Sequence, residues 1–273
     1  MWAASPWRGR MVMAESLRSA PVLTTSWDDG HPLDLKLAEM LARHGVSGSF
    51  YVPVRNRSGR PVMAAAELRQ LAAAGFEIGS HTLDHCRLPQ LPRDEARRQM
   101  ADGRAALEDM LGQPVTGFCF PGGRMGRWGK ALAQELGFSH ARTTQMLCFD
   151  VGADPLAMPT TAQIYPHRSA ALWRNWLRHG GGLGRLKALR ALAVTGHGNP
   201  ADRLTDILTA LPDHAARLGG VLHLWGHSWE IEAHGLWPVL DRALAAAAAA
   251  TPPERRLTNH ALACPPFAPE SAR

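Results

Sequence analysis

The chain has 273 residues, of which 45% are hydrophobic and 20% are charged, and its formal net charge is +6 at pH 7. This composition excludes an intrinsically disordered protein, and the length suits one large domain or two small ones. No run of 18 apolar residues predicts a membrane span, and no apolar core near the N-terminus indicates a signal peptide. The four cysteines are widely spaced, which favours a reducing compartment. We therefore expect a cytoplasmic protein, with a peripheral position at the inner face of the membrane as an open alternative.

The positive charge is concentrated in one segment. No acidic residue lies between Asp154 and Asp202, and the six basic residues there equal the net charge of the chain: Arg168, Arg174, Arg178, Arg185, Lys187 and Arg190. Apolar residues alternate with them: Leu172, Trp173, Trp176, Leu177, Leu183 and Leu186. This pattern favours a local anionic partner, an anionic lipid or a phosphorylated carrier, over nucleic acid. A helix pair with solvated arginines and buried tryptophans is the alternative interpretation.

Strand and helix patterns alternate along the chain. In chain order they are a strand at 22–27, a helix at 32–44, a strand at 48–54, a helix at 64–74, a strand at 76–80, a helix at 94–111, a strand at 115–120, a helix at 127–136, a strand at 138–144, a helix at 201–218, a strand within 219–227 and a helix at 236–250. Repeated strand-then-helix units with short loops predict an α/β fold, with a parallel sheet or barrel inside and helices outside.

No internal repeat or linker divides the chain, so we expect a single domain. The predicted organisation is an N-terminal extension at 1–20, a catalytic domain at 21–263 with a basic insertion at about 165–199, and a Pro-rich C-terminal tail at 264–273.

Chemically reactive residues gather at the predicted strand ends, where active sites of such folds lie. Asp28 and Asp29 are adjacent, and on a straight strand they would point to opposite sides. At a strand end that bends into Gly30, both can reach one pocket, one as a metal ligand and the other facing a water molecule. A turn carboxylate before the next helix is the alternative for either residue.

Two histidine pairs have a spacing of four residues. His81 and His85 flank a predicted turn, which would bring both imidazoles to one ion. His223 lies inside an apolar strand, which would separate it from His227 by about 13 Å at about 3.3 Å per residue. The first pair is therefore the better metal pair, and with Asp29 it makes two histidines and one carboxylate. Surface histidines in a loop are the alternative.

The segments SWDDG, HTLDH, the PGG turn and the late WGH strand occur in an order and spacing that resemble the polysaccharide deacetylase family. This is the NodB-homology domain of carbohydrate esterase family 4, and the resemblance covers about residues 21–230. It implies a single-domain distorted (β/α) barrel with a parallel β core and outer helices, and one divalent metal ion with Zn²⁺ as the first candidate. By resemblance Asp28 is the catalytic base, and the metal ligands are Asp29, His81 and His85.

The later motifs depart from the family pattern. Where the family has Arg-Pro-Pro-Tyr-Gly, this chain has Cys-Phe-Pro-Gly-Gly at 119–123. We expect Arg124 to replace the arginine that orients the base, and the backbone N–H of Gly122 to bind the oxyanion. The last motif places Trp225 where the family has its acid histidine. We prefer His227 as the acid and interpret His223 as a hydrogen-bonded core histidine, and no acidic partner of the acid is identified.

Together these motifs predict a metal-dependent hydrolase that removes N-acetyl groups from an N-acetylated sugar or glycan precursor, a C–N bond other than a peptide bond. We expect His31, Arg124, Trp225 and Trp229 to line the cleft, with indole faces as walls for a sugar ring. Ordinary core packing is the alternative for the tryptophans. Two other functions stay open: a hydrolase of another linear or cyclic amide, and a non-catalytic carbohydrate-binding protein.

Overall fold

The computed structural model describes residues 20–194, 199–218 and 220–263, so nearly all of the predicted extension and the tail lie outside it. Within these residues, parallel strands form one sheet in the order β5-β4-β3-β2-β1-β7-β6, and β8 also pairs with β1. The strands are β1 Val22–Asp28, β2 Ser49–Val52, β3 Glu77–Ser80, β4 Gly117–Cys119, β5 His140–Arg142, β6 Ala162–Gln163, β7 Val221–Gly226 and β8 Arg256–Leu257.

The sheet curls because the segment 158–164, which includes β6, bonds to β5 at one end and to β7 at the other. Beside β5, the Met158 N–H donates to the Ala141 carbonyl over 2.8 Å, and the Met158 carbonyl accepts from the Thr143 N–H over 2.9 Å. Six residues further on, the Ile164 N–H donates to the Trp225 carbonyl of β7 over 2.7 Å. The fold is therefore the expected single-domain distorted (β/α) barrel.

Helices surround the strands. They are α1 Asp34–Arg43, α2 Ala65–Ala73, α3 Arg93–Leu111, α4 Gly129–Glu135, α5 Ser169–Arg178, α6 Leu183–Val194, α7 Pro200–Leu218, α8 Ser228–Ala233, α9 Trp237–Ala250 and α10 Asn259–Ala263. Local sequence sets their limits: the Glu67 carboxylate accepts from the Ala64 N–H before α2, and Gly112 ends α3 with a φ of 68°. Each helix predicted from periodicity is present, with bounds that differ by at most a few residues.

The alternation along β1 shows how the barrel is filled. Leu23 and Trp27 pack into the main hydrophobic cluster, whereas Thr24, Ser26 and Asp28 make buried side-chain contacts within the barrel. All seven residues of β1 are buried, as expected for a parallel strand covered on both faces. The row of polar side chains along β1 ends at Asp28, at the carboxyl end of the strand.

The basic segment forms α5 and α6. Arg185 is buried and donates to the Met146 carbonyl and the Asn175 side chain, so it is a structural residue rather than a surface charge. The side chains of Lys187 and Arg190 lie outside the described part. Trp173, Leu177 and Leu183 are exposed at 40%, 65% and 80%, which contradicts a fully buried apolar face. The expected anionic lipid or phosphorylated carrier stays a prediction.

No helix within the described residues combines the length and the apolar character needed to cross a membrane. Cys86, Cys119 and Cys148 are free and buried.

Candidate active site

Eight of the ten residues singled out from the sequence line one cavity of about 420 Å³ at the carboxyl ends of the strands. They are Asp28, Asp29, His81, His85, Gly122, Trp225, His227 and Trp229. His31 and Arg124 do not belong to its lining. Since the eight come from four separate strand ends, the parallel topology alone brings them together.

Asp29, His81 and His85 face one another. The Nε2 atoms of His85 and His81 lie 3.0 Å and 3.8 Å from Asp29 Oδ1, and the three candidate ligand atoms are all within 4.8 Å of one another. The Trp229 indole N–H donates to the other Asp29 oxygen over 2.9 Å. The carboxylate is therefore held in place from the side opposite to the two imidazoles.

The neutral state of His81 favours a cation between these groups. Burial lowers the pKa of His81 to about 4, against the opposing charge of Asp28, so the ring is neutral at pH 7. Its Nδ1 donates to the Cys119 carbonyl over 2.7 Å, which leaves the lone pair of Nε2 directed at a carboxylate oxygen. His81 Nε2 and the Asp29 oxygen are thus two acceptors with no proton between them, an arrangement that suits a metal ion. Two imidazoles with one carboxylate are typical zinc ligands.

The local backbone explains how two adjacent carboxylates reach one cavity. Asp29 and Gly30 have φ values of 79° and 58°, so the chain turns sharply where β1 ends. A Cβ on Gly30 would lie 2.6 Å from Val52 Cγ1, so only glycine fits. His85 also has a positive φ, of 55°. Left-handed conformations at non-glycine residues cost about 1–3 kcal/mol and cluster at functional sites.

Asp28 is held by an arginine that the sequence analysis did not assign. The Arg142 guanidinium at the end of β5 donates to Asp28 Oδ1, and both side chains are buried. Burial raises the pKa of Asp28, but the charge and hydrogen bond of Arg142, together with the neighbouring histidines, outweigh burial and hold the pKa below its ordinary value. Arg142 thus occupies the orienting position predicted for Arg124, which is exposed on the loop after the Pro121–Gly123 turn.

Cys119 stands beside Asp28, and with His81 these residues make a second group of metal-ligand types. The thiol of Cys119 lies 3.7 Å from Asp28 Oδ2 and donates to it. Burial raises the pKa of this thiol well above its ordinary value, so it is protonated at neutral pH. A protonated thiol is a poor metal ligand, so the group with Asp29 fits a metal better.

His227 has the acidic partner that the sequence analysis left open. Its Nδ1 lies 2.6 Å from Glu230 Oε2, and the Gln163 side-chain amide donates to the same oxygen over 3.1 Å. Burial lowers the pKa of His227, but the Glu230 hydrogen bond and the charges of Asp29 and Asp28 together raise it above its ordinary value. The protonated form of His227 is therefore favoured, at the wall of the cavity.

His223 has a different environment. Its Nε2 lies 2.8 Å from Ser26 Oγ and its Nδ1 lies 3.1 Å from the Pro159 carbonyl, so both ring nitrogens have partners. Burial lowers the pKa of His223 to about 3, which keeps the ring neutral. This geometry favours the interpretation of His223 as a core histidine.

The comparisons with known proteins agree with this geometry. Residues 17–141 match the polysaccharide deacetylase family. The resemblance to this family drawn from the motifs is thereby confirmed, and the match supports a deacetylase-type hydrolase. The protein YxkH of Bacillus subtilis strain 168, named as a polysaccharide deacetylase, is 23% identical over 136 residues, which are 50% of this chain and 49% of YxkH. The match thus spans about half of the length of that relative.

Two solved structures share the fold. A family 4 carbohydrate esterase from Streptomyces lividans, in complex with acetate, superimposes with a TM-score of 0.51 at 14% identity, over 84% of this chain and 90% of that chain. The PuuE allantoinase gives a TM-score of 0.58 at 15% identity, over 86% and 85% of the two chains. At these identities the likeness shows the polysaccharide deacetylase fold alone.

The aromatic walls predicted for a sugar are less open than expected. Trp225 is 4% exposed, and the Arg142 guanidinium lies 4.8 Å from its ring centroid. The Arg60 guanidinium lies 3.7 Å from the Trp229 ring, and the Trp229 N–H is used by Asp29. His31 accepts at Nδ1 from the Leu33 N–H over 3.2 Å, in the turn before α1, rather than facing the cavity.

Arg142 and Glu230 are the two site residues that sequence reasoning missed. Arg142 lies in the strand predicted at 138–144, at the same barrel end as the other strand-end motifs. Glu230 follows His227 by three residues, the spacing of neighbours on one helical turn. The spacing from His227 could have identified Glu230, whereas no local pattern linked Arg142 to Asp28. The deacetylase family pattern instead directed attention to the third motif, where Arg124 stands.

Proposed function

We propose that this chain is a metal-dependent hydrolase that removes acetyl groups from the nitrogen of an amino sugar, within the deacetylase family that its sequence matches. The observation that carries the proposal is one cavity in which Asp29, His81 and His85 can hold an ion beside Asp28 and His227. A ligand set, a base and an acid are the parts that amide hydrolysis requires.

Asp29, His81 and His85 would hold the ion, for which zinc is the first candidate. An ion held there would polarise a carbonyl oxygen and lower the pKa of a bound water molecule, from about 15.7 toward ~7. The chain positions these ligands through the Cys119 carbonyl and the Trp229 indole N–H. Such outer contacts fix the tautomer and the orientation of a ligand.

Asp28 acts in this proposal as the general base that accepts the proton of the attacking water. Arg142 keeps it ionised and fixes one oxygen, and the Cys119 thiol contacts the other. The N–H of Gly122, which lines the same cavity, stabilises the negative oxygen of the tetrahedral intermediate. His227 donates its proton to the leaving amine, and Glu230 keeps His227 protonated until that step.

Acetate release tests the reaction. Zinc-loaded protein is incubated with N-acetylglucosamine oligomers, and with small linear ureides and cyclic imides as the second substrate class. We expect acetate from the oligomers and no ring opening of the imides. Turnover of the imides alone would replace the proposal with the small-amide hydrolase, and binding of oligomers without any turnover would replace it with the carbohydrate-binding protein.

Metal content and activity of three variants test the assignment of roles. Asp28→Asn is expected to retain the metal and to lose activity, since an amide cannot accept the proton, while Asp109→Asn on the exposed face of α3 retains both. The double variant His81→Ala, His85→Ala is expected to contain no metal by elemental analysis. A full metal complement in that double variant would exclude these histidines as ligands.

A further inference from the structure

A second cavity of about 430 Å³ adjoins the catalytic one. Gly122 and Thr144 line both, so the two cavities are neighbouring parts of one cleft. Each volume falls in the range of small-molecule sites, about 300–1,000 Å³. A substrate whose acetamide group enters the first cavity can therefore extend into the second.

The cleft is rich in arginine. Arg60 and Arg87 line the catalytic cavity, and Arg124, Arg178 and His179 line the second. Arg87, Arg124 and Arg178 come from three elements: the residue before the Leu88–Gln90 turn, the residue after the Pro121–Gly123 turn and the last residue of α5. Arg87 lies beside Gly122, where the two cavities meet, with its Nε 3.6 Å from the position of a Cβ on Gly122, and Arg124 and Arg178 line the second cavity. Three separate elements therefore contribute arginines to one cleft, unlike the charged face of a single helix.

These charges lack compensation within the described residues. None of the ion pairs there involves Arg60, Arg87, Arg124 or Arg178. The carboxylates that line the cleft are Asp28 and Asp29, and both already face partners at its base: Arg142 for the first and the two histidines for the second.

The groups offered to a ligand also favour a charged sugar over a neutral sugar polymer. Such a polymer is bound on open aromatic faces. Here Trp225 is buried, and the Arg60 guanidinium covers a face of Trp229 at 3.7 Å. Guanidinium groups instead match the oxygen geometry of phosphate and carboxylate, and two or three of them around one space select a multiply charged anion.

We propose that the cleft binds an N-acetylated sugar that carries a phosphate or diphosphate group, with the oxyanion between Arg87, Arg124 and Arg178. The inference rests on the proposed function for the position of the acetyl group, over Asp29, His81 and His85. The phosphoryl group lies at Gly122, where the two cavities meet, and extends into the second cavity. The three arginines set substrate choice and take no part in the chemistry.

Turnover of matched substrates gives the first test. Acetate release is compared for N-acetylglucosamine 1-phosphate, a nucleoside diphosphate ester of N-acetylglucosamine, the carboxylate N-acetylmuramic acid and neutral di-N-acetylchitobiose. We expect kcat/KM to be at least about tenfold higher for the phosphorylated sugars, and the preference to shrink between about 0.05 M and 0.5 M salt. Equal values for the neutral and phosphorylated sugars, or a preference for the carboxylate, would overturn the proposal.

Binding of inorganic diphosphate by calorimetry gives a second test that needs no turnover. The triple variant Arg87→Gln, Arg124→Gln, Arg178→Gln is compared with Arg69→Gln, Arg127→Gln, Arg217→Gln, three exposed arginines outside the cleft. Both triple variants lose the same charge and keep the metal ligands. Any binding of diphosphate to the metal ion is therefore the same in both.

We expect diphosphate affinity to fall by about tenfold or more in the cleft triple and to stay near wild type in the other. Equal affinities in both triples would overturn the inference. Selective loss in the cleft triple would support the anion site even if no N-acetyl substrate were hydrolysed. The result of this binding test is therefore independent of whether the proposed function is correct.

Discussion

Arg142 and Asp28 form a buried ion pair that joins the ends of β5 and β1 beside the candidate metal ligands. Each side chain compensates the charge of the other, and the Arg142 guanidinium also lies 5.5 Å from the Tyr51 ring and 4.8 Å from the Trp225 ring. An ion pair enclosed in this way is costly to break, because removing one partner leaves an unpaired charge in the interior.

We therefore predict that Arg142→Met lowers the free energy of unfolding by about 3–5 kcal/mol and abolishes activity. Urea unfolding and acetate release measure the two effects. Arg98→Met, which removes an exposed partner of Glu95, is the control and is expected to cost less than about 1 kcal/mol. The double variant Arg142→Met, Asp28→Asn removes both charges and is expected to regain much of the stability. Full activity in Arg142→Met would exclude its role in orienting the base.

Most of the fold was predictable from the sequence because its elements are local. The strand at 22–27 and the helix at 94–111 follow from apolar periodicity and from glycines at their ends, and alternation of such units implies parallel strands. The closure of the barrel was not predictable. It depends on a few hydrogen bonds, among them those of Met158 and Ile164, in a segment without strand periodicity.

The candidate site was predictable where residues of one motif act together. Asp28 and Asp29 are adjacent in the sequence, and His81 and His85 are four residues apart. Gly30, directly after the two aspartates, itself predicts a turn at the end of the strand. Arg142 lies 114 residues from Asp28, and no local pattern links them. Trp229 contacts Arg60 through its ring and Asp29 through its N–H, and these three residues lie in distant segments of the chain. The sequence therefore could not show that the indole face is covered.

Trp229 gives a prediction about metal affinity. Its N–H fixes the Asp29 oxygen that does not face the histidines, and loss of such an outer hydrogen bond weakens metal binding by about 10–100-fold. Trp229→Phe keeps the aromatic ring and removes the donor, so competition with a zinc chelator is expected to show that decrease. Trp237→Phe is the matched control, because the Trp237 N–H donates to Glu232 away from the cavity. Unchanged zinc affinity in Trp229→Phe would contradict the assignment.

Glu230 gives a prediction about the pH profile. Its hydrogen bond to Nδ1 and its charge raise the pKa of His227, so Glu230→Gln lowers that pKa and the acid loses its proton at lower pH. The alkaline limb of the kcat profile is expected to move to lower pH, so that activity falls more at pH 8 than at pH 6. Glu232→Gln on the same short helix, whose carboxylate pairs with Lys36, should leave the profile unchanged. An equal loss of activity at every pH in Glu230→Gln would indicate a structural role only.

His223 gives a prediction about stability. Burial lowers its pKa to about 3 from an ordinary value of 6.5, so the folded protein keeps the ring neutral while the unfolded chain takes up a proton below pH 6.5. Stability from this residue is therefore complete above pH 6.5 and is lost as the pH falls from 6.5 toward 3. Between pH 7 and pH 5 the loss is about 2 kcal/mol, at about 1.36 kcal/mol per pH unit.

His223→Gln can keep hydrogen bonds to Ser26 and the Pro159 carbonyl but cannot be protonated. The free energy of unfolding of both proteins is measured with urea in the same metal state. Between pH 7 and pH 5, the decrease in the variant is expected to be about 2 kcal/mol smaller than the decrease in wild type. Between pH 7 and pH 8 the two proteins should change in parallel, because His223 is then neutral in both the folded and the unfolded chain. An identical dependence of wild type and variant below pH 6.5 would show that His223 accepts a proton in the folded barrel, and a histidine with that property could no longer be excluded as the acid.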